Sequence, residues 1–237
     1  MSAELTVLIA AAASIGFFHT IIGPDHYLPF IVMRKARGWS LAKTLVITTA
    51  CGLGHVASSV VIGMIGIAMG VAVSELEGVE SVRGDIAAWA LIFFGLAYAS
   101  WGLRQAARRK PHGHVHKHPD GSAHVHTHTH AGGHAHVHDS GTGVSITPWV
   151  LFTIFVLGPC EPLIPMLMYP AATGSLMGVI AVVSVYGIAT ILTMEVVVIL
   201  AGYGVEKIPF GPLERYAHAL AGLAILLSGL AITFLGL

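Results

Sequence analysis

The strongest constraint on this chain is a set of six apolar stretches, each long enough to cross a membrane. A hydrocarbon core of about 30 Å is crossed by about 20 residues of helix. In lipid, only helices and closed β-barrels satisfy all backbone hydrogen bonds. These runs are too long and too continuous for the strands of a barrel, so they are predicted to be helices. The sequence therefore predicts an all-α, polytopic membrane protein with six transmembrane helices. The stretches cover residues 5–32, 41–73, 86–106, 147–169, 176–205 and 216–237.

Composition supports this class and excludes others. Of the 237 residues, 55% are hydrophobic and 10% are charged, whereas a soluble domain usually carries about 25% charged residues. The formal net charge is zero, which argues against a protein that binds nucleic acid. Both cysteines lie within apolar stretches, so they give no sign of a disulfide framework.

The distribution of positive charge predicts how the chain is oriented. Every Lys and Arg except Arg83 lies in the connections that follow the first, third and fifth stretches or within three residues of their ends. The positive-inside rule makes those connections cytoplasmic and places both termini outside. The prediction is a multi-pass protein of the inner or plasma membrane.

The two halves of the chain are related by a weak internal repeat. At an offset of 135 residues, Gly23-Pro24 aligns with Gly158-Pro159. Three spans in each half make the second half enter the membrane from the opposite side, which predicts a 3+3 inverted repeat with helices 1 and 4 broken at the two Gly-Pro pairs. The predicted domains are repeat 1 (1–107), a His-rich cytoplasmic loop (108–146) and repeat 2 (147–237).

The loop between the repeats is a candidate for metal capture. Its low-complexity composition cannot bury a core, so the sequence predicts disorder. Imidazoles at alternate positions of an extended backbone are suitable ligands for a transition metal, whereas the alternative is a solvated spacer. The loop histidines are His112, His114, His116, His118, His124, His126, His128, His130, His134, His136 and His138.

A second group of candidate ligands lies within the predicted spans. Ionisable side chains at membrane depth are functional-site candidates, because they are costly unless they pair or hold an ion. A carboxylate there either binds the ion or orients an imidazole. The alternative is a polar cluster that only closes a helix break or packs neighbouring helices. The predicted metal ligands are His19, Asp25, His26, His55, Cys160, Glu161 and Glu195.

The stretch from His19 to His26, in which Asp25-His26 closes a broken span, is similar to the His-x4-Asp-His signature of nickel/cobalt transporters, with five residues here in place of four. Six spans divided by a His-rich loop resemble the nickel/cobalt efflux branch and the related urease-accessory-type membrane proteins. The resemblance implies that nickel or cobalt is the substrate. The ligand types also make zinc a candidate.

The resulting hypothesis is a secondary transporter for a divalent transition-metal cation, Ni²⁺ or Co²⁺, and not an enzyme. The cytoplasmic loop favours export over import. The expected partners are the lipid bilayer and the metal ion, with a second copy of the chain or a partner membrane subunit as further candidates. No prosthetic group and no nucleic acid are expected.

Three alternatives remain open at this stage. One is an intramembrane metal-dependent hydrolase, although no His-Glu-x-x-His motif is present. Another is a sulfite-type anion exporter, which should carry Lys or Arg inside its spans, whereas no predicted span interior has either. The third is a thiol-disulfide electron conductor of the cytochrome c maturation type, which the Gly-Pro-Cys-x-Pro segment at 158–162 resembles. Those conductors use a cysteine in each half, whereas the repeat partner of Cys160 is Asp25, so the sequence favours metal transport.

Overall fold

A computed structural model describes residues 3–108, 112–117, 123–128, 146–207 and 211–236. Within these residues the chain forms eight α-helices, a two-stranded sheet and two short 3-10 helices at Pro24–His26 and Gly211–Tyr216. The α-helices are α1 (Ala3–Ile22), α2 (Leu28–Arg37), α3 (Leu41–Met69), α4 (Val73–Arg108), α5 (Ile146–Leu157), α6 (Leu163–Ala172), α7 (Leu176–Lys207) and α8 (Ala217–Leu235).

The described helices are those of a multi-pass membrane protein. Five of them, α1, α3, α4, α7 and α8, include stretches long and apolar enough to cross a bilayer, whereas α5 and α6 are shorter apolar helices. Large hydrophobic side chains such as Phe93, Leu200 and Phe234 are exposed on the helix surfaces. Such apolar surface is stable against lipid and would be unfavourable in water. The predicted class of helical membrane protein is confirmed.

Both Gly-Pro pairs interrupt a helix, as the sequence predicts. Helix α1 ends at Ile22, immediately before Gly23-Pro24 and the 3-10 helix, and α2 begins at Leu28. Helix α5 ends at Leu157, just before Gly158-Pro159, and α6 begins at Leu163. Proline lacks the N–H that would continue the helical hydrogen bonds and its ring displaces the preceding turn.

Helix α4 begins earlier than the sequence predicts. The apolar stretch was expected to start at Ile86, whereas the helix starts at Val73. The additional turns carry Glu80 and Arg83, whose charges end the apolar run. These two side chains form an ion pair with each other, and both residue types are compatible with a helix interior.

The His-rich loop contains regular structure that its composition did not predict. Strand β1 (His112–Lys117) pairs in antiparallel register with strand β2 (Ala123–His128). The backbone register places His112 opposite His128, His114 opposite His126 and His116 opposite His124. The other loop histidines lie outside the described residues: His118, His130, His134, His136 and His138.

Glycines bring the backbones of α4 and α8 into contact. A Cβ atom added at Gly95 would collide with the backbone of Gly222 and Leu226, and one added at Gly222 would collide with the backbone of Ala99. Small residues allow such close packing of helices in membranes, where van der Waals contact replaces the hydrophobic effect as the driving force. This close contact holds α4, and the charged pair on it, against the rest of the bundle.

Gly95→Ala should therefore destabilise the protein by about 1–3 kcal/mol, because the added methyl group forces the two backbones apart. Gly78→Ala is the matched control in the same helix, since a Cβ atom there meets nothing within 4 Å. Thermal unfolding of the detergent-solubilised protein should show a lower midpoint for Gly95→Ala and an unchanged or slightly higher one for Gly78→Ala. Equal midpoints would contradict the close packing of α4 on α8.

Candidate functional site

Three histidines from separate elements meet inside the helical bundle. His19 lies in the last turn of α1, His26 in the 3-10 helix that follows, and His55 in the middle of α3. The centroid of the His26 ring lies 4.8 Å from that of the His19 ring and 5.1 Å from that of the His55 ring. One potential ligand atom from each histidine lies within 4.8 Å of the others.

In two of these rings, the hydrogen bonds show which nitrogen keeps a lone pair that could bind a metal ion. His55 Nδ1 lies 3.3 Å from the carbonyl oxygen of Phe155, and His26 Nδ1 lies 3.1 Å from Asp25 Oδ1 and 3.2 Å from the carbonyl oxygen of Gly23. Carbonyl and carboxylate oxygens accept, so each Nδ1 carries the hydrogen and donates it. In the neutral rings, each Nε2 is left with a lone pair.

These remaining nitrogens are buried without a hydrogen-bond partner. The Nε2 atoms of His19, His26 and His55 all belong to this class. A buried polar atom without a partner is costly and calls for an explanation such as a water or an ion. Three imidazole nitrogens are a ligand set that suits a transition metal and leaves a fourth position open. Asp25 fits the role of the carboxylate that orients a metal-binding imidazole.

A cavity of about 360 Å³ lies beside the three-histidine site. Its polar end is formed by His19, Asp25 and His26, and Pro159 and Pro162 from the second break also line it. Most of the remaining lining is apolar. The two helix breaks therefore face a common space.

The structure does not bring all the predicted ligands into this site. The Cys160 thiol donates to the hydroxyl oxygen of Tyr186 at 3.2 Å. Glu195 Oε1 accepts a hydrogen bond from the Thr49 hydroxyl at 2.6 Å, and Glu161 is exposed. Among the described residues, the group with metal-binding geometry is His19, His26 and His55, with Asp25 behind it.

Sequence reasoning missed a buried charged pair on α4. Glu80 is fully buried, and its Oε2 accepts from the Ser59 hydroxyl at 2.7 Å and from the Cys160 backbone N–H at 3.0 Å. Its other oxygen, Oε1, pairs with Arg83. The i,i+3 spacing of opposite charges beside an apolar run was the signal that could have found this pair.

Arg83 connects α4 to the second helix break. Its Nη2 donates to the carbonyl oxygens of Val156, at 2.8 Å, and Gly158, at 3.2 Å, and to the Ser58 hydroxyl at 2.7 Å. The prediction that Lys and Arg are absent from the span interiors assumed that the third span starts at Ile86. Arg83 lies within the membrane-length helix α4, so that assumption is wrong.

The two cysteines do not form a pair. The Cys160 N–H lies 3.2 Å from Ser59 Oγ, and Ser59 follows Cys51 by eight residues of continuous α3 helix. Eight residues span about 12 Å along the axis, whereas a disulfide requires Cα atoms within about 7 Å. Both cysteines are buried as free thiols.

A mild oxidant should therefore not link Cys51 to Cys160 in the folded protein. The measurement is peptide mass spectrometry under non-reducing conditions after treatment with copper-phenanthroline. The same treatment after unfolding in detergent serves as the control, because the two thiols can then meet. An intramolecular disulfide formed rapidly in the folded protein would contradict the separation of the two thiols.

Comparison with known proteins places the chain in a different family from the one that its histidines suggest. The model of the family described as "Cytochrome C biogenesis protein transmembrane region" matches residues 29–231. No curated protein and no solved structure gives a significant match.

This match overturns two of the sequence-based conclusions. The resemblance to nickel/cobalt transporters is wrong as a family assignment, and metal transport is wrong as the leading function. The matched part includes Cys51, His55 and Cys160 but begins after His19 and His26. Because the match covers well over half of the 237 residues, the chain belongs to the family of cytochrome c biogenesis protein transmembrane regions.

Proposed function

We propose that the protein carries out thiol-disulfide exchange in the membrane, with Cys160 as the reacting thiol. This is the chemistry of the conductors that the Gly-Pro-Cys-x-Pro segment resembles, and the family match includes that segment. The observation that carries the proposal is the position of Cys160 in the break between α5 and α6. A thiol in an irregular segment can change its exposure through a local movement of the backbone, without unfolding a helix.

The surroundings of Cys160 suit a thiol that changes charge. The Tyr186 hydroxyl, which accepts from the neutral thiol at 3.2 Å, can reverse its role and donate to a thiolate. A hydrogen-bond donor stabilises the thiolate, which is the form that attacks a disulfide. Cys51 does not lie in a helix break, since it is packed within the continuous helix α3.

The exchange uses one cysteine of this chain. The Cys160 thiolate attacks a disulfide of a partner protein, the partner's S–S bond breaks, and one partner sulfur leaves as a thiolate. The product is a mixed disulfide between Cys160 and the other partner sulfur. Since Cys51 is too distant to resolve it, a second thiol from a partner releases Cys160 and restores the starting thiol.

The proposed architecture is the six-span, 3+3 inverted repeat that the sequence predicts. Helices α5 and α6, with the break between them, form the fourth span and correspond to α1 and α2. The Lys and Arg distribution supports an orientation with both termini outside and the His-rich loop in the cytoplasm. In this arrangement the two breaks face one another across the cavity, and relative movement of the repeats would expose Cys160.

Cys160→Ala should abolish disulfide adducts of the protein, because the attacking sulfur is lost. Cells that produce the tagged protein are quenched in acid, free thiols are blocked, and non-reducing followed by reducing gels separate the adducts. Cys51→Ala is the matched control and should retain the adducts at the wild-type level. Adducts that persist in Cys160→Ala, or that are absent from the wild type, would contradict the proposal.

A second candidate function is the binding of a resident transition-metal ion by His19, His26 and His55. The observation that favours it is the set of three buried Nε2 atoms without partners, with lone pairs assigned by the hydrogen bonds of His26 and His55. Ions of the class that imidazole prefers, such as Zn, Cu, Fe and Ni, would fit. Asp25 would fix the His26 ring through its hydrogen bond to Nδ1.

Asp25→Asn should weaken metal binding about 10–100-fold, because losing a group that hydrogen-bonds a metal-binding histidine typically reduces affinity by that factor. Co²⁺ is the probe, and the visible absorption of the bound ion reports its coordination. For this test, serine replaces all eleven loop histidines in the parent variant, so that the loop does not contribute.

His26→Ala and His55→Ala should each remove the absorption band, whereas His218→Ala should leave it unchanged. His218 is a suitable control because its Nδ1 lies 2.9 Å from the Tyr98 hydroxyl, away from the three-histidine site. Equal Co²⁺ affinity in the parent and in His26→Ala would exclude this site.

A further inference from the structure

We propose that Glu80 and Arg83 form a latch that keeps Cys160 buried and thereby sets the rate at which its thiol can react. The latch consists of these two side chains of α4, which bind the backbone of the segment that carries the thiol. This inference rests on the proposed thiol chemistry and assigns positioning residues for it.

The first contact of the latch is with the end of α5. The last carbonyl groups of a helix lack partners within the helix, and in lipid each such group costs several kcal/mol if it stays unpaired. Arg83 donates from Nη2 to two of these carbonyl oxygens, those of Val156 and Gly158, at 2.8 and 3.2 Å. One guanidinium therefore binds the chain on the N-terminal side of Cys160.

The second contact is with Cys160 itself. Its backbone N–H lies 3.0 Å from Glu80 Oε2 and 3.2 Å from Ser59 Oγ. The Ser59 hydroxyl in turn donates to the same Glu80 oxygen. The carboxylate thus holds the residue whose sulfur is to react, through a charge-assisted hydrogen bond of the stronger class.

The two halves of the latch depend on one another. Glu80 is fully buried and the Arg83 side chain is 12% exposed, so either charge without the other would be an unpaired charge in a poorly solvated environment. Their ion pair joins the carbonyl-binding side of the latch to the Cys160-binding side. A movement that frees Cys160 must therefore break both sets of contacts together.

The backbone approaches α4 closely at the same point. A Cβ atom added at Gly84, the residue after Arg83, would lie 2.9 Å from Pro159 Cγ. The absence of a side chain at Gly84 lets the Gly158-Pro159 turn sit directly against α4. In this position Cys160 is fully buried, and its side chain packs with Val56 of α3 and Tyr186 of α7. A reagent or partner therefore reaches the sulfur only when the segment moves.

The test measures alkylation of each cysteine by N-ethylmaleimide in the full-length protein in liposomes, with peptide mass spectrometry to separate Cys160 from Cys51. Glu80→Ala and Arg83→Ala should each speed alkylation of Cys160 by about tenfold or more, because one hydrogen bond to a charged group changes an equilibrium by at least that factor. Cys51 is the internal control, and its rate should not change.

Two further variants separate the latch from a general effect on stability. Arg83→Lys keeps the charge beside Glu80 but lacks the guanidinium geometry, so it should restore part of the protection of Cys160. Glu80→Met with Arg83→Met leaves no charge unpaired and no polar group to bind the backbone of the segment, and it should fold even where a single variant does not. It should still expose Cys160 selectively.

An unchanged Cys160 rate in the Met double variant, or an equal rise at Cys51 and Cys160, would overturn the latch. The failure of the latch and that of the proposed exchange are distinguishable, since alkylation requires no partner protein. Fast alkylation in the latch variants without cellular adducts would leave the latch in place and reject the exchange. If adducts depend on Cys160 but its alkylation rate is unaffected by substitution of Glu80 and Arg83, the exchange stands and the latch is rejected.

Discussion

The interaction on which the rest of this structure depends is the pairing of backbone groups at the break between α5 and α6. A helix that stops inside a bilayer leaves carbonyl and N–H groups that lipid cannot satisfy. Here His55 donates to the Phe155 carbonyl oxygen, Arg83 to those of Val156 and Gly158, and Glu80 accepts from the Cys160 N–H. Side chains from α3 and α4 thus complete the end of α5.

This requirement explains why chemically active side chains gather at the same depth. His55 satisfies the backbone with one nitrogen and directs its other nitrogen towards His19 and His26. Glu80 satisfies the backbone of Cys160 and is itself neutralised by Arg83. The groups that make a helix break tolerable in lipid are therefore the ones available for metal binding and for control of a thiol.

Family membership and local geometry describe different parts of the chain. The family match starts at residue 29 and includes both cysteines, whereas His19 and His26 precede it. The thiol chemistry is supported by the matched part, and the three-histidine site joins His55 of the matched part to two residues outside it. The sequence favoured a metal site over thiol chemistry because cysteine is commonly buried in apolar segments, whereas histidine is buried less often.

The sequence by itself determined the helical membrane class and the two helix breaks. These follow from local properties, namely the length of apolar runs and the missing N–H of Pro24 and Pro159. It also identified His19, His26 and His55, because an ionisable group in lipid is costly wherever the chain folds.

Only the tertiary structure decided which of these groups meet. It placed Cys160 against Tyr186 and Glu195 against Thr49, outside the group of three histidines with metal-binding geometry. It also brought Glu80 and Arg83 to the second break. Spacing along one helix fixes neighbours only within that helix, whereas contacts between α3, α4 and α5 depend on how separate helices pack. In the sequence, Glu80 and Arg83 mark the apparent start of a membrane span. In the folded structure, they form hydrogen bonds with the backbone at the break between α5 and α6.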